Sequence, residues 1–432
     1  MEELLALARK VSEASEVYVV SSEETPVRFE ANRLKSVQSR ESVVVALRLI
    51  KNGRTGYAVS TGLDNRQGLL KSSVDTAEFG IEAKFEFPGF QKYPAVRVHD
   101  KVVLSVPIED MIKLGELMIE RVRRHNPDIL CSGSVVKSLY RVKIMNSSGG
   151  KADYELTSFG VGLEGTLVRG TDMLFVGDYE SSCHPIDIES VVATVKRQLE
   201  WAKNQAEIET KTMPVIFTSD GVASTLLAPL MSAFNGKTVL QGASPLCGRV
   251  GEVVFDKKLT LYDDTTIPYR PGSRPCDDEG VPSQKTPLVL GGKVMGFLYD
   301  LQTAALAKTK STGNGERGRG SLPQPSPGAF IISEGKTSLA EMIRDIKEGI
   351  LIENVMGAEM GNILCGDFSG NVLLGYRIEK GEIAGRVKDT MVFGNVYELL
   401  KDIAGIGSDG KWVASSLFTP SIYCPKLSVA TK

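Results

Sequence analysis

The first hundred residues switch between helical and strand spacing of their apolar positions. One helical face is predicted by the apolar residues Leu4, Leu7, Ala8 and Val11. Short apolar or alternating runs follow, and the Asn-Gly turn within Lys51–Arg54 indicates a hairpin. We therefore predict strands at Val17–Val20, Phe29–Leu34, Ser42–Ile50 and Gly56–Ser60, a helix over residues 62–82, and an irregular crossing at Phe85–Asp100.

The middle of the chain repeats the combination of helices and alternating strands. An apolar stripe follows Pro107, and Glu109 and Asp110 favour a helix that starts there, since acidic residues stabilise a first turn. Alternating residues then indicate two antiparallel strands before another helix. These three elements are predicted at Gly133–Met145, Lys151–Leu167 and Ile188–Ala206.

Strand patterns and glycine-rich loops dominate the rest of the chain. A buried strand is predicted at Pro214–Phe217, and Ser219 and Asp220 are expected to cap a helix that continues to about Phe234. Two later helices are predicted at Ser338–Lys347 and Val396–Ile403.

Strands and helices occur in clusters and do not alternate strictly, which is typical of α+β proteins. We predict mixed, mainly antiparallel sheets with flanking helices. The length of 432 residues exceeds one ordinary domain. The changes of pattern divide the chain into an N-terminal α/β hairpin domain (1–105), a central α+β domain (106–212) and a β-rich C-terminal domain (213–432).

Composition excludes several classes of function. The formal net charge is −2, which gives no electrostatic case for nucleic acid binding. The acidic start lacks the basic and apolar blocks of a signal peptide, and no apolar run is long enough to span a membrane. The six cysteines are scattered without a CxxC pair, so we expect reduced thiols in a cytoplasmic protein.

The loop around Asp277, Asp278, Glu279 and Gly280 is the first candidate for chemistry. Three successive carboxylates are compatible with a cation site or with a cluster that orients a basic group. Adjacent side chains diverge, however, so they do not easily share one ion. A solvated acidic turn is the more frequent outcome for such a triplet.

The segment Thr312–Gly320 is the second candidate, because four of its nine residues are glycine. Glycines at this density allow a backbone to approach another group closely or to adopt positive φ. The segment lacks the Lys-Ser/Thr of a phosphate-binding P-loop. We therefore favour a structural or peptide-contacting loop.

Nucleophilic chemistry has little support. Cys276 abuts carboxylates, which oppose formation of a thiolate. Histidine is absent from Pro185 to Lys432, so a catalytic triad would depend on one of three residues in the first half: His99, His125 and His184.

Four short sequence motifs resemble those of the TldD/PmbA family and occur in the family's order. Members of this family include zinc peptidases and proteins labelled modulators of DNA gyrase. The four motifs are Gly248–Glu252, Gly272–Ser273 leading into Asp277–Pro282, Thr312–Gly315 and Gly366–Ser369. The resemblance covers essentially the whole chain and implies a multi-domain architecture. The composition gives the gyrase label no support.

The resemblance also locates a missing metal site. It implies an H-E-x-x-x-H motif on a helix shortly before Gly248–Glu252, with two zinc ligands and a general base. Counting back without gaps places these positions on Leu227, Ala228 and Ser232, which cannot fill those roles. We expect an aliphatic core helix there. A further cysteine ligand falls within Trp412–Phe418, which contains none, and its role does not transfer to Cys424.

The chain therefore resembles the PmbA (TldE-type) branch of the family. This implies a metal-free, non-catalytic subunit that forms a dimer with a zinc-bearing TldD-type partner and handles unfolded peptides, with a degenerate peptidase domain at 213–432. The expected cavity wall comprises Asp277, Asp278, Glu279, Gly280, Thr312, Gly313 and Asn314. Two alternatives remain: a regulatory homodimer, and a self-sufficient hydrolase that binds a hard cation through Asp277, Asp278, Glu279 and Glu316.

Overall fold

A computed structural model describes residues 1–318 and 321–431. Its first part pairs long antiparallel strands with helices on one side. The elements are α1 (Glu2–Ala8), β1 (Ala14–Glu30), β2 (Arg33–Val37), β3 (Arg40–Lys51), β4 (Arg54–Ser60), α2 (Arg66–Ala77), α3 (Lys101–Ser105), α4 (Ile108–His125), β5 (Leu130–Asn146), β6 (Lys151–Arg169), β7 (Asp172–Ser182) and α5 (Glu189–Trp201).

The strands β1 to β7 form one seven-stranded sheet. Its order is β4-β3-β1-β5-β6-β7, with β2 paired to β1, so strands from the first two predicted domains share one sheet. Helices α4 and α5 pack on one face around a core that includes Met118, Val135 and Val195. Side chains alternate along each strand, so Tyr18 and its cross-strand partner Ile144 lie on the opposite face.

The second part is richer in short strands. Its elements are β8 (Lys211–Phe217), α6 (Ser219–Thr225), α7 (Leu227–Ala233), α8 (Gly236–Leu240), β9 (Leu261–Asp264), β10 (Lys285–Leu290), β11 (Lys293–Val294), α9 (Leu301–Leu306), β12 (Gly315–Glu316), β13 (Gln324–Pro325), β14 (Phe330–Ile332), α10 (Leu339–Asp345), β15 (Glu348–Met356), a 3₁₀ turn (Ala358–Met360), β16 (Asp367–Glu379), β17 (Glu382–Arg386), β18 (Thr390–Asn395), α11 (Val396–Leu399), β19 (Gly405–Ile406), β20 (Lys411–Val413), β21 (Leu417–Thr419) and β22 (Ile422–Thr431).

These strands build two larger sheets. One has the order β11-β10-β9-β14-β21-β20, and the other has the order β15-β8-β22-β18-β16-β17, with β19 paired to β22. An additional pairing of β15 with β16 closes the second sheet on itself. Most pairs are antiparallel, whereas β14–β21 and β15–β8 are parallel. The predicted α+β class with mixed, mainly antiparallel sheets is confirmed.

The prediction of separate strands at Val17–Val20 and Phe29–Leu34 is wrong. Residues 14–30 form one strand, and Phe29–Leu34 spans a turn in which Ala31 and Asn32 adopt positive φ. Asparagine tolerates this conformation, which allows the chain to reverse into β2. Strand β7 was not predicted at all.

The predicted single helix that ends near Phe234 is also interrupted. Leu226 separates α6 from α7, and Pro229 lies in the first turn of α7. Proline is tolerated in a first turn because the N–H groups there have no intrahelical partner. Thr218, not Ser219 or Asp220, caps α6 by accepting a hydrogen bond from the Gly221 N–H at 3.3 Å.

No helix in the described part of the chain combines the length and apolar character that a membrane crossing requires. All six cysteines are free, and four of them are buried: Cys131, Cys183, Cys276 and Cys424.

Candidate functional site

A cavity of about 530 Å³ lies between the outer face of the N-terminal sheet and loops of the C-terminal part. Tyr18, Tyr140 and Tyr154 project from strands β1, β5 and β6 on the sheet side. The opposite side is formed by residues 271–274 and 326–328, and by Asp278, Glu316, Met231, Ser415 and Ser416. Phenols, hydroxyls and charges therefore surround a space large enough for several residues of an extended peptide.

Asp277 organises the acidic loop through backbone hydrogen bonds. Its Oδ1 accepts from the N–H groups of Glu279 (3.0 Å) and Val281 (2.9 Å), and its Oδ2 accepts from the Gly315 N–H at 2.8 Å. The last bond joins the acidic loop to the glycine-rich loop. Burial, with a further contribution from the charge of Glu279, raises the pKa of Asp277 to about 8.

Glu279 begins a chain of buried ion pairs that crosses to the N-terminal sheet. Its Oε1 lies 2.5 Å from Arg48 Nη1, and its Oε2 accepts from the Leu301 N–H at the start of α9. Arg48 Nη2 lies 3.1 Å from Oε1 of its cross-strand neighbour Glu16, which also pairs with Arg317. These side chains are almost fully buried. Since buried charges need partners, the pairs tie the two parts of the molecule together.

Aromatic rings complete the surroundings of these arginines. Phe85 and Phe87, from the crossing segment, lie 4.8 and 4.9 Å from the Arg48 guanidinium carbon. Tyr18 and Tyr57 lie 5.0 and 5.8 Å from that of Arg317. Such contacts stabilise a cation that has left water. The crossing segment therefore also covers the ionic network.

Asp278 links the network to the cavity. Its Oδ2 accepts from the Arg317 backbone N–H at 2.8 Å, and its Oδ1 accepts from the Tyr18 hydroxyl at 3.4 Å. Arg274 Nη1 lies 3.6 Å from the same Oδ1. Burial and the charge of Asp278 raise the pKa of Tyr18, so its hydroxyl remains a donor.

The solvated-turn interpretation of the acidic loop is wrong, because Asp277, Asp278 and Glu279 are all buried. Their carboxylates accept hydrogen bonds or pair with arginines, which matches the cluster that orients a basic group. In residues 1–318 and 321–431, no group of three or more His, Cys, Asp or Glu side chains could hold a metal ion. The cation-dependent hydrolase alternative therefore finds no site in this part of the chain.

The glycine-rich loop packs directly on the acidic loop. Gly313 has a φ of +74°, and a Cβ there would lie 2.7 Å from the Pro282 carbonyl oxygen. Asn314 Nδ2 donates to Asp263 Oδ2 at 2.7 Å, and burial raises the pKa of Asp263 to about 7. Thr312 accepts from the Tyr299 N–H through its hydroxyl. Residues 319 and 320 of the predicted loop lie outside the described residues.

Gly280 has a φ of +75° and closes the acidic turn. Its N–H donates to the Asp277 carbonyl at 3.1 Å, and its carbonyl accepts from the Tyr93 hydroxyl at 3.2 Å. Of the residues predicted to form the cavity wall, Asp278 lines the cavity, whereas the others lie outside its lining. Their role in peptide binding stays a prediction.

The positions of the missing metal motif lie on α7, beside the cavity. The expected aliphatic core helix is confirmed for Leu226, Leu230 and Phe234, which are buried, and Leu227 packs against the same core. Ala228 is exposed and Ser232 is half-buried. Met231, which was also expected in the core, is half-buried and lines the cavity. The motif positions therefore remain on an accessible face, but they carry no metal donor beyond one serine hydroxyl.

The stretch expected to carry a cysteine ligand also reaches this cavity. Ser415 and Ser416 line it, and Ala414 and Ser415 adopt φ values of 49° and 63°. Cys424 lies elsewhere, where its Sγ is 3.7 Å from the Leu399 carbonyl and burial raises its pKa to about 12. Zinc prefers thiolate, imidazole and carboxylate donors. The residues at these positions do not fit a zinc ion.

Sequence reasoning missed Glu16, Arg48 and Arg274, and it included Arg317 only as one residue of the glycine-rich segment. Glu16 and Arg48 could have been recognised from the sequence, because each places a charge within an otherwise apolar strand pattern. A charge inside a buried strand requires a partner, but the pattern does not identify that partner. Arg274 and Arg317 lie in loops, where a basic residue is ordinary.

Comparisons with known proteins agree with this fold. The family model of the PmbA/TldA metallopeptidase C-terminal domain matches residues 210–431, and that of PmbA/TldA metallopeptidase domain 1 matches residues 15–79. An uncharacterised protein of Methanocaldococcus jannaschii is 29% identical, covering 96% of this chain and 98% of that protein. A metalloprotease of Archaeoglobus fulgidus is 25% identical, with coverage of 87% and 88%. The crystal structure of TldE from Thermococcus kodakarensis superposes with a TM-score of 0.90 at 26% identity, covering 100% of this chain and 99% of that one.

Proposed function

Because this chain belongs to the TldD/PmbA metallopeptidase family, we propose that it is a metal-free subunit that pairs with a zinc-bearing TldD-type protein. The observation that carries the proposal is the set of residues at the expected metal positions on α7 and beside the cavity. Leu227, Ala228 and Ser232 occupy the motif positions, and Ser415 and Ser416 occupy the stretch of the further ligand. The scaffold keeps the cavity, while the donors required for zinc are replaced.

The contribution of this chain is a wall of the peptide cavity. The buried ion pairs and the interlocked loops hold the sheet and the C-terminal loops at fixed separation. A preformed cavity loses less conformational entropy when it binds an extended chain. Its phenols and hydroxyls provide donors and acceptors that match a peptide backbone. In this proposal the partner supplies the zinc, and the complex degrades or trims unfolded peptides in the cytoplasm.

Co-expression with a TldD-type relative from the same genome tests the proposal. We expect the two chains to co-elute at equal stoichiometry, and casein to be digested by the mixture but not by this chain alone. A partner whose motif glutamate is replaced by glutamine is the control, and it should assemble without digesting casein. A stable homodimer that ignores every TldD-type relative would contradict the proposal and favour the regulatory alternative.

A further inference from the structure

Arg274 has an unusual position at the edge of the cavity. It lines the cavity, yet only 13% of its side chain is exposed. Its Nη1 lies 3.6 Å from Asp278 Oδ1, beyond hydrogen-bond distance, and its buried Nε and Nη2 have no partner among the described residues. An arginine cannot shed its charge, so unpaired donors in a buried guanidinium are costly.

The carboxylates around Arg274, which are those of Asp278, Asp277 and Glu316, form no hydrogen bond with its Nε or Nη2. Asp278 already accepts from the Arg317 N–H and the Tyr18 hydroxyl. Ser273, which also lines the cavity, is buried, and its hydroxyl has no partner among the described residues. Burial raises the pKa of Tyr154, whose phenol therefore remains a potential donor in the same cavity. Within the corner formed by Ser273, Arg274 and Tyr154, Arg274 and Ser273 therefore hold donors without acceptors, although Asp278 and Glu316 line the same cavity.

We propose that this corner binds a carboxylate of the peptide, with Arg274 as the ion-pair partner and Ser273 as an additional donor. The inference rests on the proposed function, because it assigns one end group or side chain of the peptide to one corner of the cavity. A carboxylate oxygen of the peptide can accept a hydrogen bond here without breaking one that already exists. Guanidinium groups match the planar geometry of carboxylates and bind them strongly.

The charge of the cavity favours a carboxylate over a phosphate. Asp278 and the exposed Glu316 line the same space. Two negative charges repel a dianion more strongly than a singly charged group. The carboxylate can come from the carboxyl terminus of a peptide or from an Asp or Glu side chain, since both present the same chemistry.

Three octapeptides of glycine, serine and alanine, each labelled at its amino terminus with an uncharged BODIPY dye, distinguish these sources. One has a free carboxyl terminus, one is carboxy-amidated, and one is amidated but contains a central aspartate. Binding to the full-length chain, and to its complex with the partner, is measured by fluorescence anisotropy. We expect the wild type to bind at least one acidic peptide about tenfold more tightly than the neutral amide.

Variants of two cavity residues provide matched controls. Arg274→Gln should bind acidic and neutral peptides equally, whereas Arg274→Lys should retain part of the preference because it keeps the charge. Glu316→Gln should bind the acidic peptides at least as tightly as the wild type, because a like charge is removed. Thermal unfolding of each variant establishes that it is folded.

The outcomes separate this inference from the proposed function. Preference for the free terminus alone assigns the corner to the carboxyl terminus, and preference for the aspartate peptide assigns it to a side chain. Equal binding of all three peptides to the wild type, or a preference that persists in Arg274→Gln, overturns the inference. Absence of peptide binding to both the chain and the complex overturns it as well. None of these three results affects co-elution with the partner, which tests the proposed function separately.

Discussion

Arg48 Nη1 lies 2.5 Å from Glu279 Oε1, although the two residues are 231 positions apart in the chain. The pair joins strand β3 of the N-terminal sheet to the acidic loop beside the cavity, and both side chains are buried. This buried ion pair fixes the position of the acidic loop relative to the sheet. The geometry of the cavity therefore depends on it.

Replacement of Arg48 by methionine should destabilise the protein by about 3–5 kcal/mol, because it leaves buried carboxylates without their partner. The free energy of urea unfolding measures the effect. Adding Glu279→Gln to the variant should recover part of the loss, since one unpaired charge is removed. Lys71→Ala, which breaks the exposed pair with Asp75, is the control and should have no measurable effect. Equal effects of Arg48→Met and Lys71→Ala would contradict the structural role of the network.

Gly313→Ala should destabilise the contact between the two loops. The substitution adds both the strain of a positive φ and a clash with the Pro282 carbonyl. Gly248→Ala is a matched control, because Gly248 has the same φ of +74° but no atom within 4 Å of its Cβ position. We expect a loss of about 1–2 kcal/mol for the control, and a clearly larger loss for Gly313→Ala. Similar losses would show that the contact with Pro282 is unimportant.

Asp263 should make stability depend on pH near neutrality. Its folded-state pKa of about 7 exceeds the ordinary value of 3.8. The folded protein therefore retains a proton that the unfolded chain releases. The contribution of this proton to the free energy of unfolding is complete at low pH, and it is lost as the pH rises towards and through 7. Asp263→Asn should flatten the slope of unfolding free energy between pH 4 and 7 by up to about 1.4 kcal/mol per pH unit. Urea unfolding at several pH values measures it, and an unchanged slope would count against a protonated Asp263.

Met231→Trp should weaken peptide binding by filling part of the cavity. Met231 lines the cavity, whereas the neighbouring Ala228 is exposed and outside its lining. Ala228→Trp is therefore a control of equal size on the same helix. We expect at least a fivefold loss of affinity for Met231→Trp, about 1 kcal/mol, and little change for the control. The anisotropy assay checks both variants, and identical affinities would place peptide binding elsewhere.

Local patterns predicted much of the fold but few of its long-range contacts. Alternation and apolar runs located β3, β4, β5 and β6 of the N-terminal sheet, because one face of each strand is buried. They could not reveal that Glu16 pairs with Arg317, 301 positions away. The turn at Ala31 and Asn32 was missed because apolar residues flank it on both sides.

The candidate site was predicted in part for the same reason. The acidic triplet was correctly singled out, but its burial depends on the strands and rings that cover it. The motif positions were identified through the family resemblance, and the buried face of the helix that carries them through its apolar spacing. Periodicity did not reveal the break at Leu226, or that Met231 lines the cavity, because both depend on the packing of loops from distant parts of the chain.

The zinc content of the purified proteins tests the central claim most directly. Elemental analysis by mass spectrometry should find less than about 0.1 zinc per molecule of this chain alone, and about one zinc per complex with the TldD-type partner. One zinc per molecule of the isolated chain, accompanied by digestion of casein, would contradict the account.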